Sequence, residues 1–297
     1  MSKVSVIVAT YRRDESLERA LISLKNQQYK NIEVIIIDDN ADKHFNEMVT
    51  GIVEKLKESS ADLDIKLITN PVNMGSAETR NIGIREAEGK YITFLDDDDE
   101  YLPEKIKNQV EFMENGGYDY SITDLDLYNE SGKLIRKRVR TFIKDISRES
   151  LLKYHLMYHI TGTDAMMFKK EYLIAIDGFA PIDVGDEFYL MLRAINENGK
   201  FGYLPCCDIK AFIHTGESGL SSGEGKIVGE NNLYEYKKNY FDRLDSKTKR
   251  YINMRHYAVL AFAYLRMGNI TETLKNGIKS FVASPVECIK LCLERTV

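Results

Sequence analysis

Cysteine is scarce in this chain and poorly placed for a covalent or metal framework. Four occur in 297 residues, as the adjacent pair Cys206 and Cys207 and the i,i+4 pair Cys288 and Cys292. Neither spacing matches a zinc site or a disulfide framework, so reduced thiols in a cytosolic protein are expected. Long apolar runs are missing as well. "YAVLAFAYL" at 257–265 falls far short of the ~20 residues a membrane helix needs. The opening "MSKVSVIVATYRRDE" lacks a signal-peptide cleavage site. A net charge of -5 gives no reason to expect nucleic acid as a partner. No G-x-G-x-x-G follows a strand, which disfavours a dinucleotide site. "GLSSGEGK" imitates a phosphate loop, but Leu220 stands where Gly is required and Ile227 where Ser or Thr is. No internal repeat is present.

What is present is an alternation of strand and helix signals. "VSVIVA" (4–9), "IEVIIID" (32–38), "IKLIT" (65–69) and "YITFL" (91–95) are short apolar runs of the kind buried in a parallel sheet. Between them, 14–27 places Leu17, Ala20, Leu21 and Leu24 on one helical face, and 46–58 repeats that spacing. A third helix falls near 76–87. The series predicts βαβ units around a mainly parallel sheet. Ligands in such sheets bind beyond the carboxyl ends of the strands. Those ends carry Thr10 and Tyr11, then Asp38, Asp39 and Asn40, then Asp96 to Asp99.

Four adjacent carboxylates repel one another, so the stretch "FLDDDDEYLPEK" needs a compensating charge. One reading is a solvated acidic turn ahead of a helix at 103–113, with Pro103 in its first turn. The other is a divalent-cation site of hard oxygen ligands. An EF-hand is excluded, because Tyr101 replaces the loop Gly and Lys107 the bidentate Glu. A second D-x-D, Asp124 and Asp126, reads as solvated carboxylates on one strand face. His44, His155, His159 and His256 read as surface or satisfied core residues. His214 precedes a Gly/Ser-rich loop and is carried as a further metal-ligand candidate. A helix is expected over 185–197, and the remainder from about 230 is helical in pattern, divided at Pro285.

"VSVIVATYRR", "VIIIDDN", "NMGSAETRNIGIREAEGKYITFLDDDDEYLPEKI" and "GFAPIDVGDEFYLMLRA" together resemble the successive motifs of the family-2 glycosyltransferases. The resemblance covers about 1–215. It departs at Arg12, where Asn is usual, and at "GDE" (185–187), where Glu-Asp is usual. It implies a GT-A fold over 1–228, with a nucleotide-binding half of about 1–115, an acceptor half of about 116–228, and a helical appendage at 229–297. It also implies an inverting, metal-dependent transfer of a hexose, glucose or galactose, from a UDP-sugar. The acceptor would be a lipid-linked saccharide of a surface polysaccharide such as O-antigen or capsule.

Carried over by position, Asp98 would bind Mn²⁺ or Mg²⁺, with Asp96 contacting the ribose or the metal's shell. Asp39 would accept from the uracil N–H, Tyr11 would lie against the base, and Thr10, Asn73 and Arg80 would stand near the nucleotide. Asp186 and Glu187 are alternative general bases for the acceptor hydroxyl. The rivals are a sugar-nucleotide nucleotidyltransferase, which would want a Gly-rich loop where this chain has "TYRRDESLERA", and a binding protein that has lost catalysis. Helices at 270–283 and after Pro285 each show an apolar face edged by cations, as expected of a cytoplasmic protein peripheral at the inner face of the plasma membrane. Packing on the chain's own domain or on a second subunit is the alternative.

Overall fold

The computed structural model describes residues 1–60, 62–182, 185–213 and 223–296. The first half follows the sequence pattern closely. Strand β1 (Val4–Thr10), helix α1 (Glu15–Lys25), β2 (Ile32–Asp38), α2 (Lys43–Ser59), β3 (Asp64–Thr69), α3 (Gly75–Glu86) and β4 (Tyr91–Phe94) succeed one another. All seven residues of β2 are buried, as its unbroken apolar run requires. Leu17, Ala20, Leu21 and Leu24 form the buried face of α1.

After β4 come β5 (Glu100–Tyr101), α4 (Lys105–Gly116), β6 (Tyr120–Thr123), β7 (Leu125–Asn129), β8 (Leu134–Arg138), α5 (Arg148–Tyr158) and β9 (Met166–Lys169). Then follow α6 (Lys170–Ala175), α7 (Asp186–Asn196), β10 (Phe201–Leu204) and β11 (Ile209–Ile213). The last helices are α8 (Gly223–Lys238), α9 (Ser246–Arg266), α10 (Ile270–Ala283) and α11 (Pro285–Thr296). Pro285 thus opens a helix, where its missing N–H costs nothing.

The central sheet has seven strands in the order β10-β6-β9-β4-β1-β2-β3. Every pairing is parallel except those of β9, which runs antiparallel between β4 and β6. From β1 the chain winds outward to β3 and then crosses back to β4, so the switch point lies between β1 and β4. A four-stranded sheet, β5-β11-β7-β8, lies beyond the aspartate run. The expected architecture, a mainly parallel sheet flanked by helices with a helical C-terminal region, is the one observed.

The "DYSITDLDLY" segment is two strands rather than one. The chain leaves the large sheet after Thr123 and enters the small one at Leu125. Asp124, at the changeover, is buried, contrary to the solvated position expected for it. It accepts from Tyr203 Oη and from the Arg140 backbone N–H at 2.9 Å. Asp126 is buried as well and pairs with Lys137 at 3.7 Å.

By its internal contacts the chain divides into two compact units, Met1–Leu151 with Ile160–His214, and Leu152–His159 with Thr215–Val297. Both sheets belong to the first. In the second, the histidines find partners: His256 stacks on Tyr234 at 3.9 Å and meets Glu230 at 3.1 Å, while His159 lies 2.7 Å from Lys237. The apolar side chains of Leu274, Ile278, Phe281, Val282, Val286, Ile289 and Leu293 on α10 and α11 are exposed. Among the described residues, no helix is long and apolar enough to cross a membrane.

Candidate active site

The carboxyl ends of β1, β2 and β4 meet at the switch point. Thr10, Asp39 and Asp96 are brought together there because their strands are parallel and adjacent in register. The Asp39 N–H donates to the Thr10 carbonyl at 3.0 Å. Its carboxylate accepts from Asn70 Nδ2 at 2.8 Å and from the Met74 and Gly75 N–H groups at 2.7 and 3.0 Å. Asn73 donates to the Asp39 carbonyl at 3.0 Å. Asp39 therefore fixes the loop after β3 and caps the start of α3, whose own N-cap makes no side-chain bond. One lone pair of Oδ2 remains for a further donor. Gly75 adopts φ +78°, a conformation that favours glycine at this entry.

Tyr11 is no core aromatic. It is 44% exposed, with the Arg12 guanidinium 5.2 Å from its ring centroid. Arg12, the residue that departs from the family pattern, also approaches Phe45 at 5.8 Å and donates its N–H to Asn40.

Each carboxylate of the aspartate run has its own partners. Asp96 accepts from Arg80 Nη2 at 2.8 Å. Asp97 accepts from the Tyr11 N–H at 3.2 Å and from Arg13 Nε at 3.3 Å. Burial first, and then the charge of Asp98, push the Asp97 pKa up to about 7 against the pull of Arg13. Asp98 accepts from Arg13 Nη2 at 2.7 Å. Asp99 is buried, accepts from the Phe212 N–H at 2.8 Å, and faces Asp164. Burial and the Asp164 charge hold Asp99 far above the usual carboxylate range.

Asp164 has no forewarning in the sequence. It lies in a short 3-10 turn, Thr163–Ala165, directly before β9, and accepts from the Asp96 N–H at 2.7 Å. Because β9 is antiparallel to β4, residues preceding it emerge at the edge where residues following β4 do. Carboxylate oxygens of Asp96, Asp99 and Asp164 lie within 4.8 Å of one another. Three hard oxygen donors at that spacing fit a divalent cation such as Mg²⁺ or Mn²⁺. The sequence paired Asp96 with Asp98; among the described residues the carboxylate oxygens of Asp96 group with those of Asp99 and Asp164, and Asp98 accepts from Arg13. His214, the other metal candidate, lies outside the described residues.

Arg80 joins this cluster to the start of α7. Its Nη1 donates to Asp186 at 2.8 Å, while Nη2 holds Asp96. Burial opposes its charge, but Asp96 and Asp186 more than offset burial and raise its pKa. Asp186 opens α7 behind Gly185, and its other oxygen accepts from the Glu187 N–H at 2.8 Å. Glu187 accepts from Thr163 Oγ1 at 3.4 Å. Burial and the neighbouring Asp186 push its pKa up to about 7, with Arg80 and Arg138 acting in the opposite sense. A carboxyl poised there exchanges a proton readily near neutral pH. The Asp186 oxygen that meets Arg80 also accepts from Ser76 Oγ at 3.4 Å.

Arg140 is a further residue without a sequence signal. Its buried guanidinium donates to the Thr123 and Thr161 carbonyls, each at 2.6 Å. It thereby ties the end of β6 to the turn that carries Thr163 and Asp164.

The sequence profile described as "Glycosyl transferase family 2" matches residues 5–174. An uncharacterized glycosyltransferase of Haemophilus influenzae is 39% identical over 113 residues, 38% of this chain and 43% of that protein. The Escherichia coli protein named UDP-Glc:alpha-D-GlcNAc-diphosphoundecaprenol beta-1,3-glucosyltransferase WfaP is 39% identical over 114 residues, 38% of this chain and 42% of that protein. The matches thus span less than half the length of these relatives. In fold, the crystal structure of S. aureus TarS 1-349 in complex with UDP-GlcNAc superposes with a TM-score of 0.60 at 17% identity, covering 94% of this chain and 91% of that one.

Proposed function

The chain belongs to glycosyl transferase family 2, and from that premise we propose that it transfers a hexose, with inversion, from a UDP-sugar to a hydroxyl of a lipid-linked saccharide in surface-polysaccharide assembly of the O-antigen or capsule type. One observation carries this reading. The carboxylates of half-buried Asp96 and buried Asp99 and Asp164 converge at the strand edge that also presents Asp39. The printed activity of the Escherichia coli relative, which pairs UDP-Glc with a diphosphoundecaprenol-linked acceptor, supports the choice of donor and acceptor. Glucose or galactose is the proposed sugar.

Asp96, Asp99 and Asp164 would hold Mn²⁺ or Mg²⁺, with Asp98 beside them as the ligand expected by position. The chemistry such a cation supplies is neutralisation of charge on a diphosphate leaving group. Tyr11 offers its exposed ring to the base, and Asp39 its remaining lone pair to the uracil N–H. Thr10 and Asn73 hold the Asp39 backbone in place. Arg80 keeps Asp96 and Asp186 at a fixed separation, so donor and acceptor sides stay in register. Glu187 takes the proton from the acceptor hydroxyl as it attacks the anomeric carbon, and a single displacement inverts that centre.

The proposed catalytic domain is 1–228, with a helical region over 229–297. The exposed apolar face of α10 and α11, edged by Lys275, Lys279 and Lys290, is proposed to rest on the cytoplasmic surface of the membrane that carries the acceptor. Calorimetric titration with UDP and GDP, with and without Mn²⁺, tests the donor assignment. Metal-dependent binding of UDP alone is expected, and equal affinity for GDP would refute it.

A further inference from the structure

The chain carries a net charge of -5, yet "KLIRKRVR" at 133–140 holds five cations and no anion. Arg140 is consumed inside the fold, as described above. The others, Lys133, Arg136, Lys137 and Arg138, lie on or beside β8, the edge strand of the small sheet. Register decides which way they face. β8 is antiparallel to β7, with Arg138 opposite Leu125, Lys137 opposite Asp126 and Arg136 opposite Leu127. Directly opposed residues share a sheet face. Lys137 therefore lies on the Asp126 face, as their 3.7 Å ion pair requires.

Arg136 and Arg138 lie on the Leu125 face. The Leu125 side chain comes within 3.2 Å of where a Cβ on Gly162 would stand. The next residue, Thr163, donates to Glu187. Arg138, half-buried at the inner end of the strand, is close enough for its charge to pull on the Glu187 carboxyl. Arg136 follows two residues outward, about 7 Å along the strand, and is exposed. The line from Glu187 through Arg138 to Arg136 leads from the proposed base towards solvent along a cationic face.

We propose that Arg138 and Arg136 bind the diphosphate of the acceptor, so that its saccharide hydroxyl reaches Glu187 while the lipid leaves over the outer end of β8. This rests on the lipid-linked acceptor assigned above and names the residues that recognise its anionic part. Guanidinium groups suit the task because each presents a planar fork of donors to phosphate oxygens. Cations on an edge strand also guard against edge-to-edge association. That role would use Lys137 and Arg136 alike, whereas diphosphate recognition uses one face only.

The test uses the full chain with saturating UDP and excess Mg²⁺, so that the donor site is filled. Binding of farnesyl diphosphate and of farnesol is measured by equilibrium dialysis. Wild type is expected to bind the diphosphate in a salt-sensitive manner and to ignore farnesol. Arg136→Gln with Arg138→Gln should weaken diphosphate binding on the order of tenfold or more, and Arg136→Gln alone should weaken it by less. Lys137→Gln should leave it unchanged, with UDP affinity confirming an intact fold throughout. Equal weakening by Lys137→Gln, no weakening by the double variant, or equal binding of farnesol would each overturn the proposal. If wild type binds no UDP, the glycosyltransferase reading itself fails and the acceptor assignment falls with it.

Discussion

Arg80 and Asp186 form a buried ion pair at 2.8 Å, and the same guanidinium holds Asp96 at the same distance. One residue of α3 thus fixes the spacing between the carboxylate that follows β4 and the one that begins α7. Arg80→Ala leaves the buried Asp186 and the half-buried Asp96 without their cation. It should destabilise the protein by about 3–5 kcal/mol and abolish transfer. Arg80→Lys supplies one point charge where a fork is needed, so it should recover much of the stability and little of the rate. Denaturant unfolding read beside turnover checks this, and a fully active Arg80→Lys would contradict it.

The donor assignment makes Asp39 both scaffold and reader. Asp39→Ala should reduce UDP affinity by on the order of 1–3 kcal/mol and also loosen the loop that Asn70, Met74 and Gly75 anchor. Asp39→Asn retains one acceptor oxygen, so more of the fold should survive while the exchange of acceptor for donor disfavours uracil. An unchanged UDP dissociation constant in both variants would remove Asp39 from the base site.

Sequence patterns sufficed wherever a local pattern determines structure. Continuous apolar runs marked β1 to β4, and the rule that ligands bind beyond their carboxyl ends picked out Thr10, Asp39 and Asp96. Asp164 could not be found in that way. It joins the cluster because β9 is inserted antiparallel beside β4, a pairing that no local spacing encodes. Asp124 was misjudged for a related reason: strand alternation cannot foretell a buried Arg140 sixteen residues away. Arg80 and Asp186 were named separately, and only the fold brings them into contact.

The general base should show itself in the pH profile. With the Glu187 pKa raised to about 7 by burial and Asp186, its basic form accumulates as pH rises through neutrality. Transfer should therefore rise through that range and level off above it. Glu187→Gln should bind UDP normally, lose roughly 10²–10⁴ in rate and lose the limb. Asp186→Asn should keep the limb. If Asp186→Asn is the variant that loses it, the role belongs to Asp186.

Metal binding separates the structural cluster from the pair expected by position. Mn²⁺ affinity, followed by electron paramagnetic resonance in the presence of UDP, should fall on the order of tenfold or more in Asp96→Asn and Asp164→Asn. A larger loss in Asp98→Ala than in Asp164→Asn would move the ligand set to Asp96 and Asp98.

For the C-terminal helices, flotation with anionic vesicles at low salt should carry wild type upward. Ile278→Glu with Val282→Glu should stay behind, because burying charge at the acyl boundary is unfavourable. Absence of flotation combined with a dimer in sedimentation that the same variant dissociates would assign the face to a second copy.

Nucleotide release tests the central claim most directly. The protein is incubated with Mn²⁺ and a panel of UDP- and GDP-sugars without acceptor, and free nucleotide is measured. The account predicts slow release of UDP from UDP-glucose or UDP-galactose, no release from GDP-sugars, loss of the signal in excess EDTA and its return on adding Mn²⁺. Full release in EDTA, or none from any UDP-sugar, would contradict it.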